Sequence, residues 1–177
     1  MKKNLVSFFA LAVFWTACEN KPKPQLPINQ STEVSAVELP EGWLGSYMQL
    51  KDALVTEENE TAVAAAKQFL EKIQQIDTKG LVAEASKAVQ DLIPGINYDL
   101  NQIITLETKE QRIVFKALSE KAVQLMGLMG TTTTVYKQFC PMYAGGAAWL
   151  SLQEEIRNPF YGDKMLTCGV IQETFTP

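Results

Sequence analysis

Histidine is missing from this chain altogether. With it go the commonest metal ligand, the usual general base and the side chain that titrates near neutrality. Cysteine is scarce, three in 177 residues, and no two of them form a C-x-x-C redox pair. No glycine-rich loop of the phosphate-cradling kind precedes a helix. Positive charge is not in excess either: the formal net charge is −4, and setting aside the first seventeen residues leaves 14 basic against 20 acidic, or −6. A nucleic-acid partner is therefore not expected. A cysteine nucleophile would have only a lysine such as Lys137 or Lys164 to activate it, an uncommon arrangement, so the chain is read as a non-enzyme.

The remaining composition, 46% hydrophobic and 20% charged over 177 residues, suits one ordinary core rather than two. Residues 1–17 read as a signal peptide. Met1-Lys2-Lys3 is a positive start, and the apolar run Leu5 to Trp15 is short of the roughly 20 residues that span a bilayer. Thr16-Ala17-Cys18 then resembles a bacterial lipobox, with Trp15 where leucine is usual. That resemblance implies cleavage before Cys18 and a diacylglycerol on its sulfur. The mature chain would then be lipid-anchored in the bacterial cell envelope, on the periplasmic side or the outer-membrane surface. An ordinary secretory peptide cut after Ala17 is the alternative, and both lead out of the cytoplasm. Residues 18–41 carry Pro22, Pro24, Pro27 and Pro40 among polar groups, the composition of an extended, solvated tether.

From Gly42 the pattern turns helical. Trp43, Tyr47, Leu50 and Leu54 recur at helical spacing, and Thr56-Glu57-Glu58 reads as an N-cap with acids behind it. A second helix is expected over about 57–76, closed at Gly80, and a third over 81–92, stopped by Pro94-Gly95. Residues 96–106 read as a loop with at most a short helix. Thr108 and Gln111 have the spacing of a capping box for a fourth helix that turns Phe115, Leu118, Ala122, Leu125 and Met129 inward. Met126 and Met129 fit that stripe as core filler. The expected class is mainly α: a four-helix up-and-down bundle in a domain spanning 42–177, with a small irregular or β subregion at its C-terminus.

In that subregion Thr131 to Phe139 is β-rich, Gly145-Gly146, Asn158-Pro159 and Tyr161-Gly162-Asp163 are turns, and a short helix is expected over 151–157 with Ser151 as its cap. Two sulfur pairs stand here in opposite order: Cys140 with Met142, and Met165 with Cys168. Trp149 and Asn158 are supporting candidates, one as a core aromatic or a shield over the sulfurs, the other as a turn residue. Arg157 and Asp163 could pair across the loop.

The stretches YKQFCPM, GAAWLS and EIRNPFYGDKMLTCG, with QRIVFKALSEKAVQL before them, resemble a bacterial family of unknown function. That family is found as free lipoproteins and as the tail of periplasmic adaptor subunits of heavy-metal efflux pumps of the RND type. The resemblance implies a periplasmic or surface role connected with heavy metals, copper first among them, and efflux components as partners. In that family the helix matching Gln111 to Leu125 often carries a histidine, whereas this chain has none.

Residue chemistry leaves two readings open. Thiolate and thioether sulfur are soft donors that favour Cu(I) or Ag(I), so Cys140, Met142, Met165 and Cys168 could form a Cys2Met2 copper site without imidazole. Alternatively Cys140 and Cys168, the two cysteines left once Cys18 is acylated, form a disulfide in an oxidising compartment. The domain would then be a non-catalytic, disulfide-stapled module docking on an envelope partner. Zinc held by the two cysteines with Glu154 or Asp163 is a third arrangement.

Overall fold

The structure, a computed structural model, describes residues 40–177. The leader, Cys18 and the tether up to residue 39 lie outside the described residues. Four helices, α1 (Trp43–Thr56), α2 (Asn59–Ile73), α3 (Ala83–Ile103) and α4 (Thr108–Met129), precede strands β1 (Val135–Cys140), β2 (Ala147–Ser151) and β3 (Val170–Phe175). A single 3-10 turn, Gly162–Met165, interrupts the loop before β3. The class is the expected one, mainly α with a small C-terminal sheet. No helix among the described residues is long and apolar enough to cross a membrane.

Successive helices pack on one another through short links, as antiparallel neighbours do. Of the four, α1 is enclosed on most sides: Gly45, Ser46 and Lys51 are buried along with Tyr47, Leu50 and Leu54. Its seam with α4 is made by long side chains rather than by close helix contact. Tyr47 and Phe115 stack at 5.5 Å, and the Tyr47 hydroxyl shares a 2.8 Å hydrogen bond with Ser119.

Helix boundaries depart from the sequence expectations at several points, each for a local reason. Thr56 is the last residue of α1, and its hydroxyl bonds back to Asp52 O and Ala53 O. The reversal falls on Glu57, at φ 62, and α2 begins at Asn59 and ends at Ile73, seven residues before Gly80. Pro94-Gly95 does not stop α3, which runs on to Ile103. Pro94 sits on the exposed side, where its missing N–H costs least, while Val89, Ile96, Leu100 and Ile103 stay buried on one continuous stripe. Gly95 makes room for α4: a Cβ there would come within 2.8 Å of Lys121 Cε, whose ammonium pairs with Asp99 at 2.7 Å. The residues read as loop, 96–103, are thus helix. Thr108 is the first residue of α4 and caps nothing. Gln111 instead reaches out of its own helix, its Nε2 donating to Ile103 O at 3.1 Å, so α4 satisfies a terminal carbonyl of α3.

The sheet has the order β2-β1-β3, antiparallel throughout, and β2 seats it on α4. Thr131 to Thr134 precede the strand rather than join it, with Thr131 Oγ1 accepting from Thr133 N–H at 3.1 Å. The β1–β2 turn is the expected Gly145-Gly146. At Gly146, φ 113, a Cβ would press into the Phe139 ring at 2.6 Å. Ser151 ends β2 and makes a side-chain turn with Gln153; no helix forms over 151–157. A chain of aromatic contacts runs from the bundle into the tail, from Trp43 through Phe69, Tyr47 and Phe115 to Phe160, which also meets Trp149 and Tyr143.

Candidate soft-metal site

Cys140 closes β1, where Ala147 of β2 faces it. Pro141 fixes the first residue of the turn that follows, and the N–H groups of Met142 and Tyr143 then point back at the Cys140 sulfur. Cys168 arrives from the other side, in the short link between the 3-10 turn and β3. The two sulfurs lie 3.0 Å apart, and both are free thiols. A covalent disulfide measures about 2.05 Å, so the two sulfurs stand about 1 Å beyond bonding distance, close enough to share a metal ion or to join.

Asn158 locks the loop that carries Cys168. Its Nδ2 donates to Cys168 O at 2.8 Å, its Oδ1 accepts from Phe160 N–H at 2.8 Å, and its own N–H donates to Leu166 O at 2.7 Å. Its amide also bonds the Cys140 sulfur. Turn residue was the right reading for Asn158, yet it is also fully buried and touches both cysteines. Trp149 is fully buried in β2 and lies over Gly169, where a Cβ would come 2.8 Å from its ring.

The electrostatics divide the proton unequally. Burial pushes the Cys140 thiol up, but hydrogen bonds from Cys168, from the Met142 and Tyr143 N–H groups and from Asn158 outweigh it and hold Cys140 below the ordinary 9.0. Cys168 moves up, first because its hydrogen bond to Cys140 keeps the proton on it, then through desolvation. The first negative charge of the pair therefore settles on Cys140.

Two expected neighbours are placed differently. Met142 and Met165 stand on the same two loops, but their side chains are 63% and 37% exposed rather than buried over the thiols. Their backbones are fixed, Met142 O accepting from Tyr161 Oη and Met165 O from Cys168 N–H, each at 3.0 Å. No group of three or more cysteine and carboxylate side chains gathers among the described residues. Glu154 instead accepts from Tyr136 Oη, so the zinc arrangement with Glu154 or Asp163 is not assembled. Arg157 and Asp163 form no ion pair, and Lys137 pairs with Glu173.

The DUF3347 family, described as a protein of unknown function, matches residues 44–134. This chain belongs to it. The DUF3347 match covers the four helices and stops just before β1, so the cysteine loops follow the matched stretch. No curated protein and no solved structure matches.

Arg112, on α4 of the DUF3347 helices, is the positioning residue beside the site that sequence reasoning missed. Its guanidinium donates to Leu54 O at 2.7 Å, to Glu57 at 3.1 Å and to Pro159 O at 3.0 Å, tying the end of α1 to the loop beside Asn158. Gly162 yields the space, since a Cβ there would fall 2.4 Å from the guanidinium. Nothing local in the sequence marks this contact, because its partners lie 47 to 58 residues away. A groove of about 740 Å³ lies elsewhere, at the start of α1 between Trp43, Lys72, Ile76 and Met129. Its described lining holds no thiol.

Proposed function

We propose that this domain is a non-catalytic, lipid-anchored envelope protein that binds a soft monovalent metal ion, Cu(I) by preference, for sequestration or for delivery to a heavy-metal efflux system. Cys140 and Cys168 are the anchoring thiolates, and Met142 and Met165 are the thioethers that complete the donor set from the surface side. Cys18 carries the lipid. The observation that carries the reading is the 3.0 Å approach of two sulfurs from loops 28 residues apart, one of them with N–H donors that favour its thiolate. Soft sulfur without imidazole suits Cu(I) better than any hard or borderline ion. A cuprous ion bound there would offset one of the two thiolate charges. Exposed methionines suit a site that must take up and release its cargo.

Anaerobic titration of Cu(I) into the reduced full chain against a chromophoric chelator tests this. One ion per chain is expected. Cys140→Ser or Cys168→Ser should weaken binding by about a hundred-fold or more, and Met142→Leu or Met165→Leu by about ten-fold, roughly 1.4 kcal/mol. Unchanged uptake in either cysteine variant would sink the assignment.

The same 3.0 Å approach favours a second reading, in which the pair is oxidised in place and the domain is a stapled interaction module for an envelope partner. A chain isolated without reductant that shows no free thiols at 140 and 168, and no copper uptake after reduction, would select it.

A further inference from the structure

The two sulfurs of the pair differ in what can reach them. Cys140 is fully buried at the end of β1, under Pro141 and beside the Asn158 amide, with three hydrogen-bond donors besides Cys168 aimed at its sulfur. Cys168 is only partly covered, and the residues around it on the chain, Met165 and Val170, are exposed. A small thiol or disulfide approaching from solvent meets Cys168 first. Behind Cys168 stands the Cys140 sulfur, 3.0 Å away.

We propose that the pair is closed and opened by thiol–disulfide exchange at Cys168 alone, through a mixed disulfide between Cys168 and an external thiol, with Cys140 as the resolving sulfur. Closing uses a low-molecular-weight disulfide, RSSR, as oxidant. Cys168 passes its proton to Cys140 across the 3.0 Å contact, and the resulting Cys168 thiolate attacks one sulfur of RSSR and expels RS⁻, leaving Cys168–S–S–R. Cys140 then attacks the Cys168 sulfur, forms the internal S–S bond and expels the second RS⁻. The protein loses two hydrogens and RSSR becomes two RSH. Opening is the reverse and consumes two RSH. RS⁻ attacks Cys168, the internal bond breaks, and the electron pair leaves on Cys140, where the N–H donors of Met142 and Tyr143 and the Asn158 amide receive it. A second RS⁻ then releases Cys168 and departs as RSSR.

The geometry favours this division of labour in both directions. The attacked sulfur is the reachable one, and the resolving and leaving sulfur is the buried one held 3.0 Å behind it. The resolving step needs about 1 Å of movement to reach bonding distance. For metal handling, a consequence that rests on the soft-metal reading above, the closed pair offers no thiolates. Thiol status outside the cytoplasm would then decide whether the domain can take an ion, and it would act through one sulfur.

The full chain carrying Cys18→Ser, so that only the pair reports, is divided into Cys140→Ser and Cys168→Ser variants and incubated with oxidised glutathione, then acid-quenched for intact-mass analysis. Cys168 is expected to gain glutathione about ten-fold faster than Cys140. With both cysteines present the mixed disulfide should not accumulate, and the mass should fall by two hydrogens. Because a serine variant can fold poorly, the two-cysteine chain is also treated with substoichiometric N-ethylmaleimide and peptide-mapped; label is expected on Cys168. Equal glutathione rates, or label chiefly on Cys140, would overturn the proposal. Copper uptake with symmetric labelling would retire the exchange route and leave the metal reading; asymmetric labelling without copper uptake would do the opposite.

Discussion

Tyr47 and the two cysteines carry the parts of this structure that are most sensitive to single-atom changes. The Tyr47 hydroxyl lies in the core, shares a hydrogen bond with Ser119 at 2.8 Å and accepts from Leu150 N–H of β2 at 3.0 Å. Burial pushes its phenol far above the ordinary range, so it stays neutral and serves as a bridge between α1, α4 and the sheet. Tyr47→Phe keeps the ring packing and strands a buried N–H, which costs about 1–3 kcal/mol; thermal unfolding should fall by roughly 5 °C. The cysteines make a pH prediction whose sign follows from their opposite shifts. Between the lowered Cys140 value and 9.0 the unfolded chain holds more protons than the folded one, so stability rises with pH. Between 9.0 and the raised Cys168 value the folded chain holds more, and stability falls. The thiol contribution should therefore peak close to pH 9.0. Urea midpoints of the reduced parent against a Cys140→Ala/Cys168→Ala variant, taken across neutral to alkaline pH, would show the difference passing through that maximum; a flat difference would contradict the proton distribution.

Among the elements, the attachment of the tail loops to the helices depends on Arg112. Arg112→Ala removes hydrogen bonds to Leu54 O, Glu57 and Pro159 O together and is expected to cost about 2–4 kcal/mol. Arg112→Lys should recover little, because one ammonium cannot reproduce a planar fork that serves three acceptors. Urea denaturation of the two variants checks both statements. This clamp also shows what one sequence can and cannot reveal. Helical periodicity exposes the inward stripes of α1 and α4, and turn chemistry marks Gly145-Gly146 and Asn158-Pro159, because those signals are local. Pro94-Gly95 reads as a stop by the same local logic, yet α3 continues, since the buried stripe from Val89 to Ile103 and the close approach of Lys121 outweigh one missing N–H. The capping roles assigned to Thr56, Thr108 and Ser151 fail likewise, with Glu57 held in its left-handed turn from a distance by Arg112. At the candidate site, the two sulfur pairs are visible in the sequence, whereas the approach of Cys140 to Cys168 and the exposure of Met142 and Met165 depend on tertiary packing that no spacing encodes.

For the molecule as a whole, the pair bridges the long loop of the tail, from Cys140 at the end of β1 to Cys168 before β3. β3 lies at one edge of the sheet and is exposed along nearly its whole length, held by its ladder with β1 and by Phe175 against the core. Joining the sulfurs across 28 residues restricts the unfolded chain by about 3–4 kcal/mol on the chain-entropy account, and the short approach in the reduced form means that little native distortion offsets the gain. The oxidised chain should therefore melt about 10 °C above the reduced one. A metal would stabilise the same place by a different route. At a free Cu(I) concentration about a thousand times the dissociation constant, the reduced chain should gain about 4 kcal/mol, an increment close to that of the disulfide. The two gains cannot add, because each consumes the same sulfurs. Melting curves of the oxidised, reduced and reduced copper-treated chain, with Cys168→Ser beside each, distinguish these routes. Oxidation and copper should each raise the melting temperature of the parent, copper should do nothing to the oxidised form, and in Cys168→Ser oxidation should do nothing while copper stabilises by about 1.4 kcal/mol at most, a third of its effect on the parent. A copper-induced rise that persists in the oxidised chain would place the ion away from the cysteine pair.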